Sequence, residues 1–220
     1  MKILKSSLLL LSMLLFTVAC SSSDDDNNTG GEETEVEETE GEEVVLATEA
    51  PFYPINFETI GFGAEWTWSV FENGDNLPVE FVANPDKSGA NTSSTVAKIT
   101  AYQAGAPYVG CETKHGEDIG GFKFDETNSI VKIMVYKTVI SDVGLKFAEF
   151  ALPGDGAEAQ LETKVANTKI NEWEELTFDL SGSIGKGATM IIDQLIIFPD
   201  YNTRSSDNVV YFDNITFNAQ

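Results

Sequence analysis

From residue 51 onward the chain is cut into short apolar or alternating runs, each closed by turn-forming residues, and this pattern restricts the fold most. The runs occupy 66–71, 79–82, 95–102, 108–113, 130–140, 143–152, 160–165, 174–180, 190–198 and 209–217. Asn73-Gly74 ends the first, Asn84-Pro85-Asp86-Lys87-Ser88-Gly89 the second, and Pro153-Gly154-Asp155-Gly156 follows the sixth. Asn-Gly and Pro/Gly clusters are turn chemistry, and short runs at this spacing read as strands. No window carries a sustained helical stripe, and there is no internal repeat. The pattern predicts an all-β domain: a two-sheet antiparallel β-sandwich of jelly-roll type. The last run, Val210-Tyr211-Phe212-Asp213-Asn214-Ile215-Thr216-Phe217, is long for an edge. It is expected to be central and to pair with the first segment near Ile55 to Glu58.

Upstream of the strands lie two segments of different character. Residues 1–19 have Lys2 and Lys5 at the front, an apolar run from Leu8 to Val18 and a small residue, Ala19, at the exit. Charge, length and exit residue match a secretory signal peptide. Thr17-Val18-Ala19-Cys20 resembles a bacterial lipobox, with Thr17 where leucine is usual, and the resemblance implies that Cys20 is acylated and becomes the new N-terminus. The Ser21-Ser22-Ser23-Asp24-Asp25-Asp26 run resembles the export signal of surface lipoproteins of the Bacteroidetes. Residues 20–50 are rich in Asp, Glu, Thr and Gly with little to bury, so they read as an extended acidic tether. The domain to be folded is then 51–220. Without Lys2 and Lys5 the 13 basic residues fall to 11 against 36 acidic ones, which deepens the net charge from −23 to −25. So acidic a chain repels phosphate backbones and anionic lipid, so nucleic acid is excluded as a partner and contact with a membrane is expected through the lipid anchor alone.

The two cysteines are Cys20 and Cys111, so with Cys20 lipidated no intramolecular disulfide is expected. His115 is the single histidine, and Cys111 reads as a small core residue and not as a nucleophile paired with it. There is no Gly-x-Ser-x-Gly elbow, paired-His metal helix, phosphate loop or Glu-x-Asp-x-x-Glu strand. Catalysis is therefore not expected. Sugar binding without chemistry uses aromatic faces, which take the C–H face of a pyranose, flanked by groups that hydrogen-bond hydroxyls. The candidates are Trp66, Trp68, Tyr108, His115, Tyr201 and Arg204. Trp66 and Trp68 alternate onto one side of a strand, and would be a stacking platform if that side is open or core if it is closed. Asp200-Tyr201-Asn202-Thr203-Arg204 is expected as a loop joining an aromatic, an amide and the single Arg of the chain. Trp173 is expected to pack at a sheet edge.

Phe57-Glu58, Trp68, the loop from Asn84 to Ser93, Asn171-Glu172-Trp173 and Tyr211-Phe212-Asp213-Asn214-Ile215 together resemble β-jelly-roll, galactose-binding-like carbohydrate-binding modules, closest to families four, sixteen and twenty-two. The resemblance spans residues 53–220 through short motifs. It implies a structural Ca2+ between the first and last strands, held by Glu58 and Asp213 with oxygens from the loop Asp86 to Asn91. All-oxygen ligation suits a hard cation. It also implies a cell-surface lipoprotein of the outer membrane that captures a polysaccharide for an outer-membrane uptake complex. A β-1,3-glucan such as laminarin comes first, with other β-glucans next. The alternatives are an adhesive surface protein with a protein partner, and a hydrolase or lyase with an unfamiliar site.

Overall fold

The computed structural model describes residues 54–59, 61–87, 89–149, 160–189 and 191–219. The leader, Cys20 and the tether lie outside the described residues. Ten strands follow one another: β1 (Ser69–Phe71), β2 (Glu80–Ala83), β3 (Thr95–Ala101), β4 (Gly110–Glu112), β5 (Ile130–Lys137), β6 (Asp142–Ala148), β7 (Gln160–Ala166), β8 (Trp173–Asp179), β9 (Gln194–Tyr201) and β10 (Asn208–Asn218). Two 3-10 turns, Ser181–Ser183 and Gly187–Thr189, join β8 to β9.

The strands form two five-stranded sheets, ordered β1-β4-β9-β6-β7 and β2-β3-β10-β5-β8, with antiparallel neighbours throughout. This is the expected two-sheet antiparallel sandwich of jelly-roll type. As predicted, β10 is central, between β3 and β5. Its contact with the first segment is smaller than a strand pairing: Ile55 and Ile215 exchange backbone hydrogen bonds of 3.0 Å in each direction and no ladder continues from them.

Alternation decides what each sheet buries. On the first sheet Cys111, Val143, Leu145, Phe147, Leu195 and Ile197 face inward, and on the second Ile99, Val131, Ile133, Val135, Phe178, Val210 and Phe212 meet them. Cys111 is fully buried, and burial pushes its thiol far above the ordinary range, so it is core and no nucleophile. Each sheet also has apolar groups on its outer face. On the first sheet these are Ala148, Ile196 and Phe198, joined by Phe71 and Tyr201. On the second they are Val96, Met134 and Trp173, with Val82, Tyr136 and Tyr211.

Two expectations change here. The first run shortens to Ser69–Phe71, because the chain from Gly63 to Trp68 turns inward and does not extend the sheet. Trp68 is 8% exposed, donates from Nε1 to the Gly63 carbonyl at 2.7 Å, and packs against Phe57 and Phe212 with centroids 5.7 and 6.2 Å away. The second change is in β9, which runs through Asp200 and Tyr201, so these belong to a strand and only Asn202 to Arg204 turn away.

Candidate functional site

The outer face of the first sheet holds a groove with a cavity of about 360 Å³, a size within the usual range of ligand pockets. Strand register lays its floor out in rows. Ser69, Glu112, Ile196, Lys146 and Glu162 are successive partners across all five strands. In the next row Phe71 pairs with Gly110, while Phe198 pairs with Gly144. The glycines are what lets these aromatic rings lie down on the sheet. A Cβ at Gly110 would sit 2.5 Å from Phe71 Cζ, and one at Gly144 would sit 2.9 Å from Phe198 Cδ2. Phe71, Phe198 and Tyr201 then meet edge to face, with centroids 5.9 and 5.3 Å apart. The Lys164 ammonium lies 3.4 Å from the centre of the Tyr201 ring, which fixes the ring and covers one of its faces.

The polar groups converge from the strand ends. His115 Nδ1 is 2.7 Å from Asp193 Oδ1. Gln194 Nε2 donates to the Thr113 carbonyl at 2.9 Å, which leaves its oxygen as an acceptor. Burial raises the Glu112 carboxyl, with His115 and Lys146 opposing the shift. Glu149, 5% exposed, is raised by burial and by the neighbouring Asp193.

Of the six sugar-binding candidates, the groove brings together Tyr108, His115 and Tyr201. Tyr108 is 45% exposed, the most accessible aromatic of the lining. Trp66 and Trp68 are elsewhere. They do share a side, their rings stacked at 6.1 Å and 25°, but that side is closed by the core. Arg204 is 8% exposed and does not present its guanidinium to solvent. Its Nε donates to the Tyr102 carbonyl at 2.9 Å, Nη1 to the Asp200 and Asn202 carbonyls at 2.9 and 3.2 Å, and Nη2 to the Ala106 carbonyl. It clamps the end of β9, which carries Tyr201, to the 102–108 loop, which carries Tyr108. Beneath it Asp200 accepts from Ser141 Oγ and, at 2.9 Å, from Asn208 Nδ2, while the fully buried Lys137 ammonium lies 3.6 Å from Asp200 and 2.6 Å from Ser141 Oγ. Burial brings the Lys137 amine down to about 8 despite Asp200.

Sequence reading missed Phe71, Phe198, Glu112, Lys146, Glu149, Glu162 and Gln194. One signal was present: Leu195-Ile196-Ile197-Phe198 is apolar without alternation, the mark of a strand covered on both faces. Gly110 and Gly144 inside strands were a second, since glycine there marks a close approach.

The four oxygen-bearing residues named for a cation lie at the other side of the molecule, against the second sheet. Asn91 Nδ2 donates to Asp213 Oδ2 at 2.8 Å. Asn214 Nδ2 reaches Asn91 Oδ1 at 3.1 Å, Ser93 Oγ at 3.3 Å and Asp213 Oδ2 at 3.2 Å. Glu58 Oε1 accepts the N–H groups of Ser94 and Thr95. Asp86 stands earlier on the same loop, its N–H donating to Asn84 Oδ1 at 2.9 Å. Asp213 is fully buried, and its Oδ1 has no hydrogen-bond partner among the described residues. Burial, with Glu58 nearby, pushes its carboxyl up to about 6 against the hydrogen bonds it accepts. Asn214 has φ 48°, where β10 shifts register between Asp213 and Thr216. Such a bulge re-aims a side chain, and asparagine tolerates that backbone.

No protein-family model matches the chain, and no curated protein matches it. Solved structures do. The structure of an exo-beta-agarase aligns with 78% of this chain at TM-score 0.50 and 10% identity, and this chain spans 25% of that one. TmCBM61 in complex with beta-1,4-galactotriose aligns with 75% of this chain and 94% of its own, at TM-score 0.43 and 14% identity. The CBM22-2 xylan-binding domain from Paenibacillus barcinonensis Xyn10C aligns with 76% of this chain and 98% of its own, at 0.42 and 14%. What this chain shares with the agarase at 10% identity is the fold: a two-sheet antiparallel β-sandwich.

Proposed function

We propose that residues 51–220 form a non-catalytic module that binds a β-linked polysaccharide in the groove of the first sheet. The observation that carries this is the groove's make-up: Phe71, Tyr108, Phe198 and Tyr201 beside Glu112, His115, Lys146 and Gln194. Aromatic rings offer stacking surface, and the flanking groups accept from or donate to hydroxyl edges without displacing all of their water. Affinity per site is expected to be modest, since every sugar–protein hydrogen bond replaces one to water. The carbohydrate-binding modules among the structural neighbours support the same reading. A β-1,3-glucan such as laminarin is the first probe, with other β-linked glycans next.

The same proposal includes a lipid anchor at Cys20 and a tether over 20–50. They would hold the module at the outer-membrane surface, where polysaccharide is passed to an uptake complex. It also includes a structural Ca2+. Asp213 Oδ1, buried and without a hydrogen-bond partner among the described residues, is the oxygen that supports such an ion, with the Glu58 carboxylate nearby; Asn91 would join by turning its oxygen in place of the Nδ2 that now donates to Asp213. Among the described residues no three His, Cys, Asp or Glu converge on a metal-sized site. An ion at Asp213 would have to take its remaining ligands from amide and carbonyl oxygens, a set that suits calcium and not zinc. The ion would supply charge for Asp213 and tie the 84–94 loop to β10.

Affinity electrophoresis of the purified chain in gels containing single polysaccharides tests the reading. Retardation by at least one β-linked glycan, with the polymer left at full length, is expected. No retardation by any glycan contradicts it, and shortened polymer makes the protein an enzyme.

A further inference from the structure

The charged groups of the groove each have a polar or charged partner close by, with one carboxylate left over. Glu112 and Lys146 face one another across Ile196, and Lys146 opposes the rise of the Glu112 carboxyl. Glu162 lies 3.1 Å from Lys164 Nζ, and Asp193 lies 2.7 Å from His115 Nδ1. Glu149 lines the same cavity at 5% exposure, and it has no hydrogen bond or ion pair among the described residues. Its charged neighbour is another acid, Asp193. The segment that follows it in sequence, 150–159, contains Asp155 and Glu158 and no Lys, Arg or His. The Glu149 carboxylate opens to the cavity and meets no counter-charge there, so a cationic group seated beside it would supply the positive charge this part of the lining lacks.

We infer that the groove is built for a glycan bearing a free, protonated amine, a β-linked hexosamine, with the ammonium seated at Glu149. This rests on the proposed glycan-binding reading and narrows it. A bare metal ion is a poor occupant, since no three acidic or imidazole groups converge there among the described residues. A uronate or sulfate ester would meet Glu149 and Asp193 with like charge. A plain hydroxyl would give Glu149 a hydrogen bond and leave its charge unmatched. An ammonium gives both.

Calorimetry on the purified full chain separates these. The probes are β-1,4-linked glucosamine tetramer, its N-acetylated counterpart and the plain glucose tetramer, at a pH where the amine is protonated. The amine tetramer is expected to bind at least tenfold more tightly than the other two. Glu149→Gln should bring it down to parity, while Glu126→Gln, at an exposed turn, keeps the preference and so controls for general attraction to an acidic protein. Binding of the neutral tetramers without an amine preference overturns this inference alone, as does a preference that survives Glu149→Gln. Failure of all three tetramers, together with failure of every polysaccharide in the electrophoresis, overturns the glycan reading as well. The wild-type comparison needs no variant, so a poorly folding Glu149→Gln would leave the test intact.

Discussion

Single residues divide here by what their polar atoms are already doing. Tyr201 and Arg204 are close in sequence, where they read as one binding loop, yet they do opposite jobs. Tyr201 lines the groove, while Arg204 gives its donors to four carbonyls and holds the end of β9, with Tyr201, to the loop that carries Tyr108. Sequence shows that an arginine lies beside an aromatic; it does not show which carbonyls will be within reach, because Tyr102 and Ala106 arrive from about a hundred positions away. Arg204→Ala should therefore lower stability by about 2–4 kcal/mol, through buried carbonyls left without donors. Denaturant unfolding measures that loss; a change within experimental error would mean that the clamp is idle. Asp213 gives a second prediction. In the cation-free protein its carboxyl is raised from 3.8 to about 6, so the folded state holds a proton between these values that the unfolded state has released. The proton's contribution to stability is thus present below pH 4 and lost as pH rises through 6. Calcium needs the carboxylate, so proton and cation compete. Added calcium should raise the melting temperature at pH 7.5 and do much less at pH 5. An equal effect at both, or no effect of chelator at pH 7.5, would count against the site.

At the scale of elements, strand existence was readable and strand faces were not. All ten runs became strands, because alternation and turn residues are local signals. Which face of a strand meets the second sheet depends on packing between elements distant in sequence. Trp66 and Trp68 show the consequence: their shared side was legible, but the Gly63 to Trp68 segment closes over the core instead of extending the sheet. Trp68→Ala should cost about 3–5 kcal/mol in stability, as for other large core aromatics, and leave glycan affinity unchanged in whatever fraction remains folded. In β9 the reverse holds. Phe198 lies on the outer face, resting on Gly144, so Gly144→Val is expected to tilt the ring and weaken binding. That strain belongs to overpacking, worth about 1–3 kcal/mol. Calorimetry that finds full affinity in Gly144→Val would remove the aromatic floor from the site.

The whole molecule combines a sandwich with apolar groups on both outer faces and an acidic sequence over residues 20–50. The overall architecture could be read from the sequence because strand count and the absence of helical stripes leave few alternatives. The groove could not, because it is assembled from β1, β4, β6, β7 and β9, which lie apart in sequence and become neighbours only through register. The proposed anchor predicts that the protein sediments with membranes and that Cys20→Ser releases it. A wild-type protein found in the soluble fraction would contradict lipidation. The central claim is that the groove of the first sheet, and not the aromatic strip on the second, is where glycan binds. The direct measurement is calorimetric titration of one bound polysaccharide into wild type, Tyr201→Ala and Tyr136→Ala, the last from the opposite face. Tyr201→Ala should lose about tenfold or more in affinity, or roughly 1.4 kcal/mol, with Tyr136→Ala binding as wild type. Loss in Tyr136→Ala with Tyr201→Ala unaffected would contradict the account.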